Sequence, residues 1–106
     1  MRQAVIKYGE VEAGLLIETD QGEYTFQYND SYCELYPNLF IAFDLPVTKR
    51  VYRSKRLFPF FDGLIPEGWL LNIAATSWKI KSSDRMGLLM ACCKNTIGAV
   101  SVHPIP

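Results

Sequence analysis

Two carboxylates, Asp62 and Glu67, stand inside the most unusual stretch of the chain, Phe58-Pro59-Phe60-Phe61-Asp62-Gly63-Leu64-Ile65-Pro66-Glu67-Gly68-Trp69. A pair of carboxylates is the minimum equipment for general acid and base work. The plainer reading is structural: Asp62 caps a turn, and Glu67 favours the positive end of a helix dipole. A second group with chemical capacity is the basic run Lys49, Arg50, Arg53, Lys55 and Arg56, five cations in eight positions with Tyr52 among them. Such a run can contact phosphates or stack a base, meet an acidic protein surface, or simply face water.

The rest of the inventory argues against an enzyme. His103 is the one histidine; it lies beside Pro104 near the terminus and reads as a surface residue, not a base. The sequence holds no glycine-rich phosphate loop, no His-x-x-x-His pair and no Gly-x-Ser-x-Gly elbow. Four ligands for a structural zinc are not in sight, and neither a metal nor another cofactor is expected. The 106 residues carry eleven basic and eleven acidic side chains, so no global field favours nucleic acid or anionic lipid.

Hydrophobic residues at 49% and aromatics at 13% argue for an ordered globule, and the length for one domain over 1–106. The cysteines are odd in number, and Cys33, Cys92 and Cys93 read as buried thiols. No apolar run approaches a membrane span or follows Met1-Arg2-Gln3 as a signal peptide would, so a cytoplasmic chain without membrane contact is expected.

These residues need elements to hold them. Arg2 to Tyr8 alternates around Val5 and Lys7, and Gly14 to Asp20 is an apolar run turning polar at Glu18. Asp20-Gln21-Gly22 signals a hairpin, after which Tyr24, Phe26 and Tyr28 alternate with Glu23, Thr25 and Gln27. Residues 2–28 are therefore predicted to form a three-stranded antiparallel meander with the aromatic trio on its core face. Asp30 or Ser31 caps a short helical turn through Tyr36, stopped by Pro37. Leu39 to Leu45 reads as a short strand or buried extended segment. The basic run, interrupted by Val51 and Tyr52, reads as a strand edge or a loop over the sheet.

The stretch 58–69, broken by two Pro and two Gly, reads as a buried hinge leading into a helix from Pro66 to Trp78. On a helical wheel Leu70, Leu71, Ala74 and Trp78 gather on one side, while Trp69 falls opposite with Asn72 and Thr76. A tryptophan so placed is either covered by another part of the chain or kept for a partner. Ser82-Ser83-Asp84 signals the next N-cap, and Met86, Leu89, Met90 and Cys93 repeat at helical spacing until Lys94-Asn95. Ile97, Val100 and Val102 form a final strand returning to the sheet, with Gly98 beside Ala99 marking a close backbone approach. The fold class predicted is α+β: a small antiparallel sheet, the N-terminal meander plus a C-terminal strand, packed with two to three short α-helices.

One family shows this order of residues. Tyr24-x-Phe26-x-Tyr28, the apolar segment ending Leu45-Pro46, Leu57 through Gly68, Asp84 with Leu88-Leu89, and Gly98-Ala99-Val100 resemble the N-terminal subdomain of the HipA-type serine/threonine kinases. That subdomain has a Phe-Phe-Asp-x-Leu-Leu-Pro-Glu-Gly core and a terminal Gly-Ala-Val. The likeness covers almost the whole chain. Ile65 stands where the family often has Leu, and Cys93-Lys94-Asn95 replaces a Gly-Asp-like turn.

HipA-type kinases continue into ATP-binding and catalytic parts that this sequence lacks, so the resemblance implies a chain that is not itself a kinase. It implies the split arrangement: a HipS-type antitoxin that binds and restrains a separately encoded HipT-type kinase toxin. A HipB-type DNA-binding protein shares that complex, and DNA is touched only indirectly. An activating or scaffolding subunit of the kinase is the neighbouring reading, and a nucleic-acid-binding regulator using the basic run is the reading from another class. Under the resemblance the partner-binding residues are Trp69 as anchor, Glu67 and Asn72 beside it, and Asp62 and Gly68 in the same stretch. Lys49, Arg50, Arg53, Lys55 and Arg56 form a candidate basic contact patch.

Overall fold

Alternating residues in the first quarter of the chain fold as antiparallel strands because short turns, each with a glycine at positive φ, separate them. In the computed structural model, which describes residues 1–42, 44–47, 50–65, 84–93 and 99–105, Gly9 at φ +63° turns β1 (Arg2–Tyr8) into β2 (Val11–Glu18). Gly22 at φ +81° lies in the loop to β3 (Tyr24–Tyr28), which Thr19 N–H closes onto Glu23 O at 2.8 Å. β4 (Val51–Ser54) and β5 (Val100–Ile105) complete a five-stranded antiparallel sheet in the order β4-β3-β2-β1-β5. Among the described residues three short helices pack with it: α1 (Asp30–Leu35), α2 (Pro59–Asp62) and α3 (Arg85–Cys92). The architecture is the α+β one predicted, with the meander and the returning strand in place. Pro104, which has no N–H to give a ladder, sits in an edge strand, where it is tolerated.

The register of the first hairpin is not uniform. Tyr8 pairs with Val11 and Lys7 with Glu12, but Ile6 pairs with Gly14, so Ala13 is an extra residue in β2. A bulge turns two consecutive residues toward one side, and Ala13 and Gly14 are both buried. Gly14 has no room for a side chain: a Cβ would run into the Gln27 carbonyl oxygen and stand 3.0 Å from the Phe26 ring. Below the bulge Arg2 stands opposite Glu18. In β1 the buried positions are Ala4 and Ile6, the opposite parity to the expected centres Val5 and Lys7.

The core lies between one face of the sheet and the helices. Ala4, Ile6, Leu16, Phe26, Tyr28 and Val102 of the sheet meet Tyr32 of α1, Phe61 of α2 and Met86, Leu88 and Leu89 of α3. Phe26 is its centre, 4.8 Å from the Tyr28 ring in an edge-on contact and 5.5 Å from Phe61. Cys93 is buried as expected and its Sγ lies 3.4 Å from Leu64 O, whereas Cys33 is only half-buried. The side chain of Cys92 lies outside the described residues.

Two local expectations change. The N-cap of α1 is Asn29, not Asp30 or Ser31, and its side chain reaches Glu12 O at 3.3 Å instead of capping. Among the described residues of 39–45 none is in a strand; they run through bends and a turn, with Ile41 and Leu45 buried and Leu39 and Phe40 exposed at 38% and 37%. Tyrosine hydroxyls take the place of a neighbouring strand: Tyr32 donates to Leu39 O at 2.6 Å, Tyr28 donates to Leu45 O and accepts from Ile41 N–H at 3.2 Å, and Tyr52 donates to Pro46 O at 2.7 Å. These hydroxyls satisfy backbone groups that a ladder would otherwise serve. The predicted helix Pro66–Trp78, together with Ser82, Ser83, Lys94, Asn95, Ile97 and Gly98, lies outside the described residues. Among the described residues no helix is long and apolar enough to cross a membrane.

Candidate functional site

α2 positions the first candidate residue. Pro59 occupies the first turn, where its missing N–H costs nothing, and Phe61 points into the core against Phe58, Phe60 and Phe26. With Phe61 anchored, the adjacent Asp62 faces outward. The expected turn cap is not made among the described residues: Arg85 at the start of α3 is within reach, and its Nε donates to Asp62 Oδ1 at 2.6 Å. The turn is closed by backbone instead, Ile65 N–H to Asp62 O at 3.2 Å.

Asp62 and Arg85 form one side of a cleft of about 470 Å³ whose other lining residues are Gly22, Tyr24, Lys55, Arg56 and Leu57. The structure thus brings Asp62 together with the second half of the basic run. β4 explains why: the chain leaves the sheet edge at Ser54, turns with Arg56 N–H on Ser54 Oγ at 3.2 Å, and buries Leu57, leaving Lys55 and Arg56 exposed on the turn. The first half of the run goes elsewhere. Arg50 pairs with Asp30 at 2.6 Å, and Arg53 is exposed on β4 opposite Thr25. Lys49, Glu67, Gly68, Trp69 and Asn72 lie outside the described residues.

Beside the cleft stands a network that was not singled out in the sequence. Arg2 donates to both carboxylate oxygens of Glu18, at 2.7 and 3.0 Å, and to both of Asp84, at 3.0 and 2.8 Å. Tyr24 Oη adds a bond to Glu18 at 3.2 Å, and Asp84 caps α3 by accepting from Gly87 N–H at 3.1 Å. Hydrogen bonds from Arg2 hold the Asp84 carboxyl below its ordinary range, and those same bonds hold the Arg2 guanidinium more firmly protonated. Burial first, and then Glu18, push the Tyr24 hydroxyl up. The one signal for this network was the acid of the Ser82-Ser83-Asp84 cap stretch; the partner of Asp84 lies 82 positions away.

His103 sits in β5, half-buried, with Nε2 2.8 Å from Ser101 Oγ. Among the described residues no three His, Cys, Asp or Glu side chains gather as metal ligands would.

The chain has relatives. The HipA N-terminal domain family matches residues 4–103. The chain belongs to that family. Among solved structures, the N-terminal domain of HipA toxin is similar with a TM-score of 0.77 and 27% identity, covering 100% of this chain and 94% of that one. An uncharacterized protein of Haemophilus influenzae (strain ATCC 51907 / DSM 11121 / KW20 / Rd) is 35% identical over 99 residues, 93% of this chain and 88% of that protein. The resemblance read from the sequence is therefore established at the level of the HipA family. The matched region includes all of the cleft's lining residues, from Gly22 to Arg85.

Proposed function

We propose that this chain, acting as one domain over 1–106, is a non-enzymatic antitoxin that binds and restrains a separately encoded HipA-type serine/threonine kinase of the HipT kind. The observation that carries this reading is the HipA N-terminal domain match over residues 4–103, supported by the likeness to the N-terminal domain of HipA toxin. The proposed complex is cytoplasmic and includes a HipB-type DNA-binding protein, through which alone DNA is touched. A subunit that binds in trans must draw its affinity from contacts, against the loss of translational freedom. Trp69 is the proposed anchor, with Glu67, Gly68, Asn72 and Asp62 around it. Phe58, Phe61 and Ile65 are buried, so the segment up to Ile65 is held by the core.

The test is co-expression with the kinase encoded beside this chain's gene, followed by co-purification and a phosphorylation assay with and without this chain. A stable complex with suppressed phosphorylation is expected. Raised phosphorylation would make the chain an activating or scaffolding subunit, and no complex would overturn both readings. Trp69→Ala is expected to weaken the complex by ~2–4 kcal/mol, as loss of a central aromatic anchor does. Unchanged affinity would remove Trp69 from the interface.

A further inference from the structure

The cleft between the end of β4, α2 and α3 carries charge that the described residues do not neutralise. Among the described lining residues Lys55, Arg56 and Arg85 stand with a single carboxylate, Asp62. Arg85 gives its Nε to that carboxylate, and among the described residues neither Lys55 nor Arg56 makes an ion pair or a side-chain hydrogen bond. Leu57 and Tyr24 give the cleft apolar surface between these charges. We infer that the cleft docks an acidic, carboxylate-bearing segment of a protein partner. The inference rests on the proposed binding role only for the partner being a protein, and its test does not use the kinase.

Charge complementarity selects the occupant. At about 470 Å³ the cleft is in the size range that takes several side chains and exceeds what a single small anion fills. A phosphodiester chain would bring a charge at every nucleotide past Asp62 and past Glu18, which Tyr24 bonds and which shares Arg2 with Asp84. Tyr24 is the aromatic available for stacking, and its hydroxyl is engaged by Glu18 at 3.2 Å. A peptide can place its carboxylates at Lys55, Arg56 and the remaining nitrogens of Arg85 while keeping neutral residues opposite Asp62. Opposed charges of this kind set the partner's orientation and speed its arrival.

The experiment is an amide-resolved NMR titration of the full chain with a short oligoglutamate peptide, a short oligothymidylate and inorganic phosphate, repeated on Lys55→Gln/Arg56→Gln. Both side chains are exposed, so the double variant retains the parent's fold, which its spectrum checks. Oligoglutamate is expected to shift the amides of Gly22, Lys55, Arg56 and Leu57. Its binding should weaken about threefold to tenfold in the double variant and fall with added salt. Absence of peptide binding, or equal binding to the double variant, overturns the inference. So does oligothymidylate or phosphate saturating the same amides at lower concentration than the peptide. A peptide that binds while the kinase does not would leave the cleft standing and remove only the proposed function.

Discussion

Arg85 Nε lies 2.6 Å from Asp62 Oδ1, tying the last residue of α2 to the first of α3 across 23 positions of sequence. Both side chains are partly solvated, at 32% and 45% exposure, which limits what the pair adds to stability. Asp62→Asn should cost less than ~1 kcal/mol in urea unfolding. The same substitution removes the one carboxylate among the cleft's described lining residues, so it should tighten oligoglutamate binding while lowering stability. Changes of the same sign in both measurements would contradict that division of roles.

Arg2 joins the second strand to the cap of α3 through Glu18 and Asp84. With the Arg2 side chain 38% exposed, Arg2→Ala is expected to lower stability by about 1 kcal/mol after allowance for solvent screening. The pH dependence is the sharper test. Asp84 is held below its ordinary value of 3.8 mainly by its hydrogen bonds from Arg2, so the unfolded chain takes up that proton first as pH falls. The associated stability is present above the ordinary value and is lost as pH falls through the folded one. Denaturation curves measured from pH 7 downward should therefore show a shallower acid loss for Arg2→Ala than for the parent.

Tyr28→Phe should be more costly than its one missing oxygen suggests. That hydroxyl serves both Leu45 O and Ile41 N–H in the core, and its loss leaves two buried backbone groups without their partner. The expected cost is ~1–3 kcal/mol. Burial pushes the hydroxyl up to about 12, so its stability contribution is complete below pH 10 and disappears as pH rises toward 12. An ultraviolet titration of the parent should show a late-ionising tyrosine that is missing from the variant.

Gly14→Ala tests the bulge. The new methyl would meet the Gln27 carbonyl and the Phe26 ring, and neither backbone nor a fully buried aromatic yields readily. A loss at the upper end of ~1–3 kcal/mol is expected from the urea midpoint. Gly9→Ala, where nothing stands within 4 Å, should cost only the strain of its φ of +63°, of order 1 kcal/mol.

The meander was legible because its determinants are local. Tyr24, Phe26 and Tyr28 alternate, and Gly22 permits the turn before them. The start of α3 was legible for the same reason, from Ser82-Ser83-Asp84 with its acid; that Asp84 is itself the cap, accepting from the N–H three residues on, is the structure's detail. Segment 39–45 was not legible, because its apolar composition matches a buried strand and the hydroxyls that replace its ladder come from Tyr28, Tyr32 and Tyr52. The basic run was visible as composition, but not its division between Arg50 on Asp30 and Lys55 with Arg56 at the cleft.

By itself the sequence determined the α+β class, the meander with its aromatic face, and membership of the HipA family through the ordered motifs between Tyr24 and Val100. Tertiary structure alone decided that Arg2 meets Glu18 and Asp84, and that Asp62 meets Arg85 beside Lys55 and Arg56. Periodicity records which side of an element faces the core. It carries no record of a one-residue bulge at Ala13 or of which distant helix end a solvent-side charge will reach, and the cleft depends on both strand register and helix placement.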